Sequence, residues 1–385
     1  MRGPMAIQLG SARLAAEERH LVAGRRVGLI TNHTGVDANL RPTADILAAA
    51  GATVAAFFAP EHGLRGAVAA GDDVAAATDP RTAAPIHSLY GAHGERTKPA
   101  PAMLRGLDAL VYDIQDIGSR FYTIVSTMAL CMQAAGEAGL PLIVCDRPNP
   151  ITGLLPEGNL VAPGFESFVG IAACPMRHGM TVGELALLFH RELGWGGEVH
   201  VARMEGWRRG MWWEETGLPW VMPSPNATGI DMALLYPGTC LLEGTNVTEG
   251  RGYTKPYEIV GAPWIDGARL ATELAACALP GVRVRPAAFR PFAGKYAGQD
   301  CEGVQLHVVE REAVRPAALG VHLLAAIARL HGERLTFRLP HFDWLAGCDT
   351  LRRDLLAGRA AEEIVAGWAA DQAAFRPRRD GCLLY

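Results

Sequence analysis

Four stretches of this chain read as strands with almost no charge in them: residues 25–30, 53–58, 109–114 and 141–145. Between them lie segments long enough for helices, over residues 42–50 and 126–138, with Pro42 suited to a first turn and Gly51 to the position just past a helix end. Strands that alternate with helices run parallel, because parallel neighbours must be joined by a crossover. The fold class is therefore α/β, with a parallel sheet followed by a smaller α/β domain. At 385 residues the chain exceeds one ordinary core. The expected division is a sheet domain over 1–155, a connecting and cleft-forming region over 156–262, and an ancillary α/β domain over 263–385.

Each strand-like run ends, rather than begins, in a polar cluster. The clusters are Asn32 and His33; Glu61, His62 and Arg65; Asp116, Ser119, Arg120 and Tyr122; and Asp146, Arg147 and Asn149. Ligands bind at the carboxyl ends of the strands of an open parallel sheet, so the four loops are expected to converge on one crevice. Phe57-Phe58-Ala59-Pro60-Glu61-His62-Gly63-Leu64-Arg65-Gly66 is the most pointed of them. Proline stops the strand, and two glycines flank three titratable or cationic side chains. Glu61 is the expected catalytic carboxyl group, with His62 beside it.

Residues 67–105 are less regular, with a short strand expected over 86–90 and a polar loop through Gly94, Glu95 and Lys98. Further on, Thr181-Val182-Gly183-Glu184 is a capping box, which makes Glu184 a cap rather than a catalyst. Trp207, Trp212, Trp213 and Trp220 read as packing in preference to a sugar-stacking surface. Residues 223–256 show little periodicity and many small polar residues, the mark of a shaped loop. That loop presents Asn226, Glu243, Asn246, Glu249 and Arg251 as substrate-binding candidates. Beyond it the expected elements are a helix over 266–277 capped by Asp266, strands over 281–285 and 303–309, a helix over 316–330, a short strand over 335–338, and helices from Asp349 and Ala360.

A net charge of −4 gives no footing for nucleic acid or an anionic membrane. The eight cysteines are scattered, without a CxxC pair, and read as free thiols. The N-terminal stretch has no apolar core of the kind a signal peptide carries, so a cytoplasmic location is expected. The first strand–helix turn lacks GxGxxG, and there is no GxxxxGK[ST], GxSxG or HExxH. No cofactor or metal is therefore expected. The remaining carboxylates, arginines, asparagines and tyrosines suit a sugar and acid–base chemistry by carboxyl groups.

The segments VGLITNHTGV, FFAPEHGLRG, LVYDIQDIGSRFYT, IVCDRPNPITG, RHGMTVGELA, PSPN, ALLYPGTCLLEGTN and EGRG resemble the exo-β-N-acetylmuramidase family, and the likeness runs from about residue 25 to Tyr385. The resemblance implies a Rossmann-like N-terminal domain, a smaller C-terminal α/β domain and an active site in the cleft between them. It also implies removal of N-acetylmuramic acid from the non-reducing ends of peptidoglycan fragments (muropeptides or MurNAc-GlcNAc pieces), as in cell-wall recycling, without a cofactor. The family's proposed catalytic glutamate falls on Glu61. Two departures lie in the long loop: Ala227-Thr228 replaces the usual Met-Pro, and Tyr253-Thr254-Lys255-Pro256 follows Gly252.

As general acid, Glu61 must be protonated near neutral pH, which apolar walls such as Phe58 and Leu64 or a second carboxylate would favour. Asp116 is the preferred opposing carboxylate, since alternation along 109–114 turns Asp113 toward the other face of its strand. Ser119, Arg120 and Tyr122 would hold the substrate. The lactyl carboxylate of muramic acid calls for a guanidinium, from Arg65, Arg120, Arg147 or Arg251, with Arg147 the best preorganised between its neighbouring prolines. Two rival readings stand beside this one: a sugar-binding protein without turnover, and a metal-dependent hydrolase built on Glu61, His62, Asp113 and Asp116.

Overall fold

The computed structural model describes residues 7–68, 77–90 and 98–385. The polar loop expected through Gly94 and Glu95 lies outside the described residues. Seven strands form the first sheet: β1 (Arg26–Thr31), β2 (Thr53–Ala59), β3 (Ala77–Thr78), β4 (Pro85–Ser88), β5 (Ala109–Asp113), β6 (Leu142–Cys145) and β7 (Val199–Ala202). Their spatial order is β3-β4-β2-β1-β5-β6-β7, with all neighbours parallel except β3 against β4. The chain starts in the middle, builds outward through β2, then crosses to β5 on the other side of β1.

Side-chain alternation explains why these runs carry so little charge. Leu29, Phe57, Val111 and Ile143 share one core with Leu14 and Leu47, from α1 (Gly10–Ala16) and α2 (Thr43–Ala49). Ile30, Phe58, Tyr112 and Val144 face the other core, which includes residues of α3 (Thr123–Ala138) and α4 (Val182–Leu193). A sheet covered on both faces has no solvated side on which to place a charge. The capping box at the start of α4 is formed, with Glu184 Nα donating to Thr181 Oγ1 and Thr181 Nα to Glu184 Oε2.

The second sheet is antiparallel, in the order β8 (Ile259–Ala262), β10 (Cys301–Val308), β9 (Val282–Phe289). Two helices, α5 (Ile230–Thr239) and α6 (Gly267–Ala276), precede α7 (Pro316–His331), and four short helices close the chain: α8 (His341–Ala346), α9 (Thr350–Leu356), α10 (Ala361–Ala366) and α11 (Ala369–Asp380). Asp266 caps α6 through Oδ1, which accepts from Arg269 Nα at 2.9 Å.

Three features depart from the sequence reading. The stretch read as irregular holds α5 and a 3-10 turn over Cys240–Gly244. Tyr236-Pro237-Gly238 reads as a breaker, yet Pro237 sits one turn from the helix end and Gly238 is a packing position. Strand β8 follows that stretch at a place where the sequence reading puts no element. Residues 335–338 make no strand, only a bridge between Phe337 and Thr245.

The cysteines are all free, and six of the eight are buried. Trp207, Trp212 and Trp213 are buried, and Trp220 packs edge-on against Trp213 at 5.1 Å between ring centres. The chain ends also close on the sheet. Gly10 Nα donates to Asp146 O at 3.0 Å, and Tyr385 Oη donates to Asp146 Oδ2 at 2.8 Å.

Helices α5 and α7 cross through paired glycines. A Cβ on Gly320 would stand 2.5 Å from Gly238 O and 2.6 Å from Gly238 Cα, both backbone atoms that cannot swing aside. Alanine in a helix interior gains about 1 kcal/mol over glycine, whereas overpacking costs roughly 1–3 kcal/mol. The second effect should win here, so Gly320→Ala should lower the unfolding free energy in urea titrations. A stabilised variant would show that the two backbones do not touch.

Candidate active site

A cleft of about 230 Å³ opens between the first sheet's loops and the second half of the chain. The loop after β2 brings Glu61 and His62, and the start of α3 brings Tyr122 and Thr123. Ser224 and Asn226 come from the loop before α5. Opposite them stand Tyr236 of α5, Glu243 of the 3-10 turn, Arg251 and Tyr257 before β8, and Arg338, His341 and Leu345.

Glu61 is held at its base by local geometry. Its Oε2 accepts from Thr123 Oγ1 at 2.7 Å. His62 adopts φ 71°, a left-handed conformation uncommon for a residue with a side chain. Its Nδ1 donates to Val68 O at 2.7 Å, which fixes the loop in that turn. Gly66 shows why the second glycine is needed, since a Cβ there would fall 2.0 Å from the His33 ring. The cleft's apolar walls are Phe121, Ile124, Val169 and Met232. Phe58 and Leu64, expected in that role, lie elsewhere: Phe58 in the sheet core and Leu64 in a separate groove.

The second carboxyl group of the cleft is Glu243. Its Oε1 is ion-paired with Arg251 Nη2 and accepts from Tyr257 Oη at 2.7 Å. Arg251 Nε in turn donates to Tyr257 Oη at 2.8 Å. Burial works against an ionised Glu243, but the Arg251 guanidinium and the Tyr257 hydroxyl together outweigh it and hold the carboxyl below its usual range. For Arg251, burial is likewise outweighed by Glu243, so the guanidinium stays charged. Glu249 is buried behind this pair, bonded to Lys295 Nζ at 3.0 Å and to Arg251 at 3.4 Å. Burial pushes the phenols of Tyr122 and Tyr236 well above their usual range, which keeps both neutral.

Of the sequence candidates, the cleft therefore gathers Glu61, His62, Tyr122, Asn226, Glu243 and Arg251. The others face partners within the protein. Asp116, expected as the opposing carboxylate, lies outside the cleft lining: it is buried, accepts from Gly118 Nα at 2.7 Å and contacts His178 Nε2 at 3.0 Å. Ser119 donates to Met176 O at 3.3 Å. Arg120 donates to four backbone carbonyls, those of Asn159, Cys174, Leu345 and Ala346. Asn149 bridges Met180 O and Ile151 Nα, and Asn246 pins residues 334 and 336. Asn32 accepts from Thr34 Nα at 2.9 Å, and with the exposed Arg65 it borders the groove that holds Leu64.

Arg147 is the clearest correction. It is 4% exposed, ion-paired with Asp113 and bonded to Val36 O at 2.7 Å, away from Glu61. Thr43 Oγ1 also donates to Asp113. The topological switch between β1 and β5, where such sheets take a ligand, is thus filled by an internal ion pair. The Arg147 guanidinium is committed to Asp113. Since Asp113 and Asp116 lie apart from Glu61, the four donors of a metal reading are not brought together. Among the described residues no group of three or more His, Cys, Asp or Glu side chains is placed to hold a metal.

Sequence reasoning missed Thr123, Tyr257, Arg338 and His341. Ser224 and Tyr236 stand inside the PSPN and ALLYPGTCLLEGTN segments, but neither carries a titratable signal near neutral pH. The two departures from the family pattern do not line the cleft. Ala227 is buried and accepts from Trp220 Nε1, and Tyr253 packs on Phe289 at 5.4 Å.

Residues 27–231 match the family model for the N-terminal domain of exo-beta-N-acetylmuramidase NamZ, and residues 234–385 match that for its C-terminal domain. A peptidoglycan beta-N-acetylmuramidase NamZ of Bacillus subtilis (strain 168) is 41% identical over 381 residues, or 98% of this chain and 91% of that protein. Two crystal structures of DUF1343 family proteins from Bacteroides fragilis NCTC 9343 are also similar. One has a TM-score of 0.91 at 36% identity, covering all of both chains. The second has a TM-score of 0.79 at 30% identity, covering 98% of this chain and 99% of that one.

The buried pair yields a test of its structural role. Asp113→Asn leaves Arg147 charged and buried without its counter-ion, which costs on the order of 3–5 kcal/mol. The denaturation midpoint should drop accordingly. A midpoint within experimental error of the parent would show that Arg147 is satisfied some other way.

Proposed function

The chain belongs to the exo-beta-N-acetylmuramidase NamZ family, and from that premise we propose how its cleft divides the chemistry. The protein is a glycoside hydrolase that releases terminal N-acetylmuramic acid from peptidoglycan. In the proposed mechanism Glu61 protonates the glycosidic oxygen, and Glu243 is the ionised carboxylate that faces the positive charge developing at the anomeric carbon.

One observation carries this reading: a single cleft takes one carboxyl group from each half of the chain, and the two are held differently. Glu243 is clamped to a guanidinium and a phenol, so it resists protonation. A group in that state cannot serve as the acid. Glu61 accepts from the Thr123 hydroxyl, with Phe121 and Ile124 lining the same cleft. Tyr122 and Tyr236, neutral at working pH, supply hydroxyl groups and ring faces suited to a sugar. The fragments cut are muropeptides or MurNAc-GlcNAc pieces, and stripping one terminal sugar from them suits recycling of the cell wall.

Glu61→Gln keeps the shape and removes the proton. On a chromogenic N-acetylmuramic acid β-glycoside its kcat should fall by roughly 10²–10⁴, with the thermal midpoint unchanged and with chelator making no difference to the parent enzyme. A variant that keeps most of its kcat would remove Glu61 from the acid's role. Loss of parent activity in chelator would instead revive a metal.

A further inference from the structure

The cleft takes its arginines from two places, and they are in opposite states. Arg251 is committed to Glu243, Glu249 and Tyr257. Arg338 lines the same cleft, is exposed, and its guanidinium has no hydrogen-bond or ion-pair partner among the described residues. Its backbone, by contrast, is fixed. Arg338 Nα donates to Gly244 O at 2.7 Å, and Phe342 Nα donates to Arg338 O at 2.9 Å. Neighbouring Phe337 packs edge-on against Phe342 at 4.6 Å between ring centres. The segment is therefore tied directly to the turn that carries Glu243.

We propose that Arg338 is the specificity residue that reads the lactyl carboxylate of the terminal sugar, the role first expected of Arg147. This rests on the function proposed above and adds the group that distinguishes the substrate from an uncharged amino sugar. The charge balance of the cleft supports it. Glu243 and Arg251 cancel, so an anionic substrate entering beside Glu61 needs a further cation, and Arg338 is placed to supply one. A guanidinium on an anchored backbone can grip a carboxylate through two parallel hydrogen bonds, and an ammonium cannot reproduce that geometry. The other candidates are engaged or remote. Arg120 and Arg147 are buried against protein groups, and Arg65 borders a different groove.

The test compares a β-glycoside of N-acetylmuramic acid with its lactyl-amide counterpart, which keeps the shape and removes the charge. Arg338→Gln should lower the acid-to-amide ratio of kcat/KM by roughly ten- to a hundredfold, the size of a charge-assisted bidentate contact. Arg338→Lys, which retains the charge and the fold, should lower it by less. Equilibrium binding of free N-acetylmuramic acid against N-acetylglucosamine, measured in Glu61→Gln with and without Arg338→Gln, gives a readout independent of turnover. An unchanged preference in both measurements overturns the assignment while leaving the glycosidase reading intact. A preference that depends on Arg338 in a parent protein without turnover would support the assignment and sink the glycosidase reading.

Discussion

One buried guanidinium ties the two halves of this protein together. Arg120 is only 3% exposed, and burial pushes its pKa down to about 10, still high enough to stay charged at neutral pH. A charge in that position is tolerable only if its protons are matched. The two Nη groups are matched by carbonyl oxygens of Asn159 and Cys174 on one side and of Leu345 and Ala346 in α8 on the other, while Nε has no partner among the described residues. Helix α8 brings His341 and Leu345 to the cleft and holds Phe342 under the Glu243 turn. The position of the second half's contribution to the site follows from a residue of the first half that never reaches the cleft.

The same logic runs through the strand ends. Asp113, Asp116 and Asp146 each end or follow a strand, and each is held by protein donors: Arg147 and Thr43 for the first, Gly118 and His178 (both on Oδ2) for the second, Thr181, Gly183 and Tyr385 for the third. These bonds fix the sheet's carboxyl edge behind the loop that brings Glu61 to the cleft. Rigid backing of this kind is what holds a reacting side chain within the tolerance that catalysis requires.

The sheet was legible because runs covered on both faces carry little charge, and the place of Glu61 in the cleft was legible because titratable groups between glycines at a strand end are hard to explain as core. The partition of polar residues between site and scaffold was not. A sequence shows that Arg147, Asn149 and Arg120 are polar and close to a strand end, but a carboxylate of the substrate and the carboxylate of Asp113 attract an arginine equally well. The helix α5 was hidden for a different reason. Proline and glycine in Tyr236-Pro237-Gly238 speak for a turn locally, and only the approach of α7 at Gly320 shows the glycine to be a contact. Arg338 went unnoticed because nothing in its neighbours announces a cleft; distance in sequence separates it from Glu61 by most of the chain.

The hydrogen bonds from Gly10 and Tyr385 to Asp146 have a consequence for how the protein folds. The first sheet is encoded early, and its strands can pair as soon as β7 has emerged. Yet Asp146 receives one of its hydrogen bonds from Tyr385, whose ring also packs edge-on against Trp207 at 5.1 Å between ring centres and whose hydroxyl accepts from Met204 Nα. Leu384 Nα adds a bond to Glu184 at the start of α4. On the ribosome, then, the edge formed by β6 and β7 waits unsealed while more than a hundred later residues are translated. Contacts so distant in sequence form slowly, so the seal on this side of the sheet belongs to a late stage of folding.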